Sequence, residues 1–414
     1  MKLLSTSIAV FKLLLVSLLM HSCVKNHSCT QSYTLYTPVY KTLSEVRLNI
    51  KSNAASAIKN TGKLFVLGNH IFLNELNKGI HIIDNTDPAS PVNKYFIDIP
   101  GNIDLAVKGN LLYADMYSDL VTLDISDPAN IQVRKIKENV FPFRGYTNGF
   151  IPDNSKLIVD WIKKDTTVMY DCSNRSSRNA SDMLSVPAAS ASSLAAAATG
   201  ISGSMARFTL LNNYLYTVTD NALNVFNISQ PEQPVFSGKV NMSWGIETLY
   251  KFKDNLFIGS NTGMFIFGTS NPVKPDLLGS FTHVRTCDPV IADDNYAYVT
   301  LRSGTSCGGF TNQLDVLDIK NLNSPTVVKS YLLTNPHGLS KDGNTLFICD
   351  GKAGLKIFDA SNINEIRLLQ TVMGPETYDV ITENETAIVV AKDGLYQYSY
   401  SNRSNLRLLS KVSY

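Results

Sequence analysis

Short runs in which apolar side chains alternate with polar ones, each closed by an Asp- or Asn-rich turn, recur along the chain. They read GIHIIDNTDP from Gly79, DLVTLDISDP from Asp119, ALNVFNISQP from Ala222, GMFIFGTSNP from Gly263, QLDVLDIKNL from Gln313 and GLKIFDASNI from Gly354, with weaker copies from Thr167 and Gly394. The matching turn positions are Pro88, Pro128, Arg175, Pro231, Pro272, Leu322, Ile363 and Arg403, a period of about 40 residues with longer gaps around Arg175 and after Pro272. A second run precedes most of them, as at Asn110–Met116, Asn213–Asn221, Asn255–Asn261, Asn295–Leu301 and Asn344–Gly351, and another follows, as at Pro91–Pro100. The runs are rich in β-branched and aromatic residues and bounded by Gly, Asn, Asp and Pro, and no useful helix-period stripe appears beyond the N-terminus.

This pattern predicts an all-β fold. Four strands per repeat make each unit a sheet that buries its faces only against its neighbours, which is how the blades of a β-propeller are arranged. Eight copies predict eight four-stranded blades, or seven if the third copy, at Thr167–Ser176, is degenerate. That copy has lost the Asp-Pro turn and runs into residues 173–204, a Ser/Ala-rich low-complexity stretch. The stretch reads as a mobile insertion within one propeller domain spanning 51–414, so deleting Ser177 to Ile201 is expected to leave thermal unfolding nearly unchanged.

The first residues change the picture of where the chain works. Lys2, an apolar stretch from Ile8 to Met20 and then His21-Ser22-Cys23 have the layout of a secretory signal over 1–22, too short to span a bilayer. Leu19-Met20-His21-Ser22-Cys23 resembles a lipobox, which makes Cys23 the lipidated N-terminus and the lipid membrane a partner. Residues 23–50 are then a tether, in which Thr37 to Ile50 either donates a ring-closing strand to the last blade or is plain tether. The expected location is outside the cytoplasm on a bacterial membrane, the outer one by preference; a tether without an acidic run is neutral between periplasm and surface.

Net charge is only +2 with a sequence pI near 8.1, which leaves no basic stripe for nucleic acid. Beyond Cys23 lie Cys29, Cys172, Cys287, Cys307 and Cys349, an odd number, with no Cys-x-x-Cys and no His-x-x-x-His, so a zinc site of ordinary spacing is not visible. Cys287 enters the first strand of its repeat and Cys307 sits in the loop after the second, so a hairpin would bring them to one face, and a Cys287–Cys307 disulfide is expected. Asp115-x-Tyr117-x-Asp119 lacks the glycine and distal glutamate of a calcium loop. No phosphate loop, dinucleotide fingerprint or Gly-x-Ser-x-Gly stands in a strand-turn-helix context, so no cofactor and no catalytic set are expected.

The repeat runs, the segments Ile99–Met116 and Asn335–Asn362 and the stretch Thr37–Leu48 before the first repeat together resemble the LVIVD-repeat family of bacterial envelope lipoproteins. The resemblance covers nearly the whole chain after Cys23. It implies a propeller at the cell envelope, in a family without a generally assigned activity, and carries no catalytic residues over.

Counting back from each second strand lands on Asp104, Arg207, Glu247, Asp288, His337 and Asp379, which are expected to line one rim of the central channel. The second strands add Asp115, Asp160, Asp220 and Asp350, with Tyr117, Trp161 and Arg302 nearby. Carboxylates beside Arg207 and His337 would perturb one another's pKa values and form a polar funnel; the plainer reading is that channel positions are wet and Asp caps its own turns. The leading function is a non-catalytic binding or scaffolding propeller whose partner is an envelope protein, peptide or glycan. The alternative is a hydrolase or lyase of extracellular glycan or peptide, with rim carboxylates and His337 as acid and base.

Overall fold

In the computed structural model, residues 28–142, 156–171, 197–198, 201–283, 289–303 and 311–414 are described. They fall into two compact units, one of residues 1–40 and 160–186 and the other of 41–159 and 187–414.

The larger unit is a seven-bladed propeller. Blade 1 comprises Thr61–Leu67, His70–Glu75, Gly79–Asp84 and Val92–Asp98, and blade 2 Leu105–Lys108, Leu111–Met116, Asp119–Asp124 and Gln132–Lys137. Blades 3 to 7 repeat the same order over 208–241, 246–282, 290–332, 339–372 and 377–413. Each blade is an antiparallel meander whose first strand lies innermost.

The turn chemistry explains why the repeats fold this way. Asp84, Asp124, Asn227, Asp318 and Asp359 each accept, through the side chain, the backbone N–H two residues on, at 2.8–3.0 Å, so the recurring Asp/Asn closes an Asx turn between third and fourth strands. The residue at the Pro position then receives a hydroxyl from the neighbouring blade. Tyr113 donates to the Pro231 carbonyl at 2.8 Å, Tyr216 to Pro272 at 3.0 Å, Tyr331 to Ile363 at 2.5 Å and Ser410 to Pro88 at 2.6 Å. The repeat thus carries both its own turn and its grip on the next blade.

The ring closes between blades 7 and 1 by side-chain packing. Ile381, Ile388, Val390 and Leu395 bury against Leu64, Val66, Ile71, Leu73 and Ile83, and Gln397 Nε2 donates to Asn85 Oδ1 at 2.6 Å. The expected ring-closing strand from Thr37–Ile50 is not formed, because all four strands of blade 7 come from 377–413. Instead Thr42 caps a short helix, Leu43–Arg47, with the reciprocal Glu45 bond of a capping box. Arg47 Nη2 pairs with the buried Asp119 of blade 2 at 2.7 Å, and Lys51–Ala54 adds a fifth strand to the outer edge of blade 1.

The third copy is not a blade, so of the two counts the sequence allowed the ring has seven. Leu157–Asp171 pairs with Ser28–Lys41 in a two-stranded ribbon. The physical reason is in its side chains: Lys163, Lys164, Asp165 and Thr167 are exposed, whereas a blade's third strand such as Asp119–Asp124 is buried along its whole length. Asp160 and Trp161, expected near the rim, lie in this ribbon.

The low-complexity stretch has a packed end. Ile201–Ser202 pairs with the innermost strand of blade 1 and Ala197–Ala198 with that of blade 2. Residues 203–206 are buried, so a deletion running through Ile201 reaches chain that packs. Among the described residues, no helix is long and apolar enough to cross a membrane. Residues 1–27, with Cys23, and Cys287, Asp288 and Cys307 lie outside the described residues, so neither the lipid attachment nor the disulfide is addressed.

Candidate functional site

The innermost strands begin at one end of the channel, and there the ionisable residues gather. Lys63, third residue of Thr61–Leu67, is fully buried, with Nζ 3.1 Å from Asp104 Oδ2 and donating to the Met205 carbonyl at 3.2 Å. Burial pushes the Lys63 ammonium down and the Asp104 carboxyl up, while each charge opposes the other's shift. Asp104 Oδ2 also accepts the Arg207 backbone N–H at 3.0 Å. Sequence reasoning missed Lys63; the signal was a lone lysine inside the apolar run Thr61–Leu67.

A strap made of residues 203–207 crosses this end of the channel and meets five blades. Gly203 lies against the Asp379 carboxylate of blade 7, where a Cβ would sit 2.0 Å from Oδ2. Ser204 Oγ accepts from Leu339 N of blade 6 at 2.8 Å. The Met205 carbonyl takes the Lys63 bond from blade 1, and the Ala206 carbonyl accepts from Leu249 N of blade 4. Arg207 N reaches Asp104 of blade 2. Gly203, Ser204 and Ala206 suit this path because small side chains let the backbone approach the channel wall.

Asp379 is the strap's buried floor. Its Oδ1 accepts from Val380 N at 3.0 Å, Gly338 presses on the carboxylate from the other side, and Oδ2 is buried without a hydrogen-bond partner. Burial pushes its carboxyl up to about 7, against the Val380 N–H and Lys63. Glu247 is also pushed up to about 7 by burial, opposed by Arg207 and Arg302.

The remaining rim residues divide by role. Arg207 Nη2 pairs with Asp220 Oδ1 at 2.6 Å and donates to the Ile246 carbonyl at 3.3 Å. Arg302 Nη1 lies 2.9 Å from His337 Nδ1 and 3.3 Å from Nε2, and Asn335 Nδ2 lies 3.2 Å from Nε2, so N–H donors face both ring nitrogens. The His337 ring meets Tyr378 edge-on at 5.3 Å. Burial, reinforced by Arg302, lowers the His337 pKa to about 3, which favours the neutral imidazole.

Asp115 and Asp350 are structural acceptors. Asp115 Oδ1 takes Ile103 N, Asp104 N and Asn102 Nδ2 at 2.7–2.9 Å. Asp350 takes Thr334 N and Asn335 N and pairs with Lys356 Nζ at 2.5 Å. Both hold the chain entering an innermost strand, which is the turn-capping alternative. The structure therefore brings together Asp104, Arg207, Glu247, Arg302, His337 and Asp379, sets Asp115 and Asp350 behind them, and does not describe Asp288. Among the described residues no cluster of His, Cys, Asp and Glu has the arrangement of a metal site.

Trp244 and Met373 stand on the connections entering blades 4 and 7, and Leu332 ends the outermost strand of blade 5; they are 73%, 68% and 87% exposed.

The LVIVD-repeat profile matches residues 102–136, 202–242 and 285–333. These are blade 2, blade 3 with most of the strap, and blade 5 with the connection leading into it. The chain carries LVIVD repeats. No relative was found among curated proteins. Among solved structures, the periplasmic gluconolactonase of Pseudomonas aeruginosa is similar over 88% of this chain and 96% of that one, at 9% identity and a TM-score of 0.55. A protein from Lactobacillus plantarum covers the same shares at 13% identity and a TM-score of 0.51. At such identities the likeness shows the propeller fold alone.

Proposed function

We propose that this LVIVD-repeat propeller is a non-catalytic binding or scaffolding protein of the bacterial cell envelope, exported by residues 1–22 and anchored by lipid on Cys23. The observation that carries the binding role is the strap: it joins five blades and engages Lys63 and Asp104, and on the same end of the propeller Arg207, Glu247 and Arg302 with the exposed Trp244, Leu332 and Met373 are the groups we assign to a partner. Such a mixture of guanidinium, carboxyl and aromatic groups suits an extended peptide or a glycan, which offers hydrogen-bonding edges and apolar faces together. The anchor is supported by the order of signal, Cys23 and tether in the sequence.

Arrays of glycans and of peptides from envelope proteins, probed with the purified chain, should give binding that Trp244→Ala and Arg302→Ala each reduce by tenfold or more. Turnover of an array ligand that is abolished by Glu247→Gln would overturn the non-catalytic reading. It would favour the hydrolase or lyase alternative, in which Glu247, whose carboxyl burial pushes up to about 7, would serve as the acid. Mass analysis of envelope-purified protein should find an acylated Cys23 at the N-terminus.

A further inference from the structure

We propose, resting on the binding role assigned above, that Arg302 takes the carboxylate of a uronic acid in an acidic glycan, with the ring of that sugar laid against Trp244. Arg302 directly follows the second strand of blade 5, Tyr296–Leu301, and is half-buried. Arg47, Arg134 and Arg207 each meet an aspartate at 2.5–2.7 Å. Among the described residues no carboxylate comes within ion-pairing distance of Arg302, whose Nη1 lies instead 2.9 Å from His337 Nδ1. A neutral imidazole fixes the direction of the guanidinium and offsets none of its charge. Burial lowers the Arg302 pKa, opposed by Glu247. A partly desolvated cation without a counter-ion gains from an anion brought to it, and the planar fork of arginine matches the two oxygens of a carboxylate.

Glu247, near the start of Ile246–Phe252 in blade 4, does not take that place. Burial pushes its carboxyl up to about 7, against Arg207 and Arg302, so below neutral pH it offers a donor near the guanidinium in place of a repelling charge. Asp220, the carboxylate that acts on Glu247, is itself paired with Arg207 Nη2 at 2.6 Å.

The kind of acid is selected by the aromatic group next to these charges. Trp244 precedes Glu247 by three residues and is 73% exposed. The backbone that carries it is pinned: Gly245 N donates to the Asp220 carbonyl at 2.9 Å, and the Ile246 carbonyl accepts from Arg207 Nη2 at 3.3 Å. An indole on fixed backbone presents a flat apolar face, which suits the C–H face of a pyranose ring. In a uronic acid the carboxylate is bonded to that ring, so its position relative to the apolar face is set before binding. An acidic peptide carries its carboxylate on a flexible stem and must order it at a cost in entropy.

Titration calorimetry of the purified chain with trimers of galacturonate, glucuronate and mannuronate, and with their methyl esters, supplies the test. At least one free acid should bind at least about tenfold more tightly than its ester, which keeps the ring and loses the charge, and added salt should narrow the gap. Arg302→Gln should bring the acid down to the affinity of the ester, while Trp244→Ala should weaken acid and ester alike. The comparison of acid with ester needs no variant, so it decides even where Arg302→Gln fails to fold. Equal binding of acid and ester, no binding of any trimer, or a preference for the acid that survives in Arg302→Gln overturns the proposal. So does a peptide of three glutamates that binds as tightly as the uronates. Neutral glycans or peptides that bind through Trp244 while the uronates do not would remove the uronate alone; an array on which no binding depends on the rim would remove the binding role with it.

Discussion

The run that begins at Asp119 and the run that begins at Thr167 are copies of one repeat with different fates. The first is the third strand of blade 2: Leu120, Val121 and Leu123 are buried, and Asp124 accepts Ser126 N, Asn110 Nδ2 and Arg134 Nη2 to lock the turn. The second is the end of a ribbon strand, where Val168 and Met169 stay exposed. A blade strand must be apolar on both faces, since both are covered by neighbouring blades. Around Thr167 the copy keeps neither the Asp-Pro turn nor the regular spacing of the repeat, and the chain pairs instead with Ser28–Lys41.

If burial makes the difference, truncations in the ring and in the ribbon must differ by a wide margin. Ile388→Ala or Leu73→Ala, at the seam of blades 7 and 1, should each cost about 2–5 kcal/mol, whereas Val168→Ala in the ribbon should stay within about 0.5 kcal/mol. Denaturant unfolding reads both, and comparable losses would show that the ribbon is core after all. Next in size is Gly203→Ala. Its Cβ would meet Asp379 Oδ2 at 2.0 Å, and relieving that overlap should cost about 1–3 kcal/mol; an unchanged midpoint would mean the strap is loosely held.

A smaller contrast concerns the turns. Asp124→Ala removes the acceptor of an Asx turn and should cost about 1 kcal/mol, while Asp165→Ala, which breaks one exposed bond to Thr34, should be close to neutral. A further contrast is a slope with pH. Asp379 holds its proton to about 7 when folded and to about 4 when unfolded. The folded chain thus binds more protons across that window, and the group's contribution falls as pH rises through it. Asp379→Asn should therefore gain on the wild type from about pH 4 upward and keep its full advantage above about 7. Asp124 has the opposite sign: the Arg134 guanidinium, followed by the Ser126 N–H, holds its carboxyl well below the usual range. Its stabilisation is present above about pH 4 and is lost on acidification, so Asp124→Asn should lose most at neutral pH. Parallel pH profiles for the two variants would refute the division between channel and turn carboxylates.

The all-β class, the propeller and the positions of the turns were legible because the repeat states them locally: an Asx turn needs only its own Asp and the N–H two residues on. The number of blades was less legible, since spacing alone does not tell whether the run around Thr167 finds cover on both sides. At the rim, counting from the second strands reached Asp104, Arg207, Glu247, His337 and Asp379. It could not separate these from Asp115 and Asp350, because a carboxylate that caps a turn and one that faces a channel look alike along a sequence. The strap was illegible for a different reason. Ile201–Ala206 carries the small residues of its low-complexity surroundings, and its bonds reach residues 43 to 142 positions away, from Leu249 to Lys63.

The seam between blades 7 and 1 falls between sheets and never within one. The stretch of gene encoding a single repeat therefore coincides with a single physical wedge. Duplicating or losing such a stretch changes the ring by a whole sector, and no sheet is left short of a strand. For the same reason the polypeptide can be cut and rejoined at any connection between blades, with the old ends spliced through a linker, and every sheet keeps its own hydrogen-bonded ladder. Rings of this kind can grow or shrink by genetic accident, with only the packing along the seam to be re-fitted.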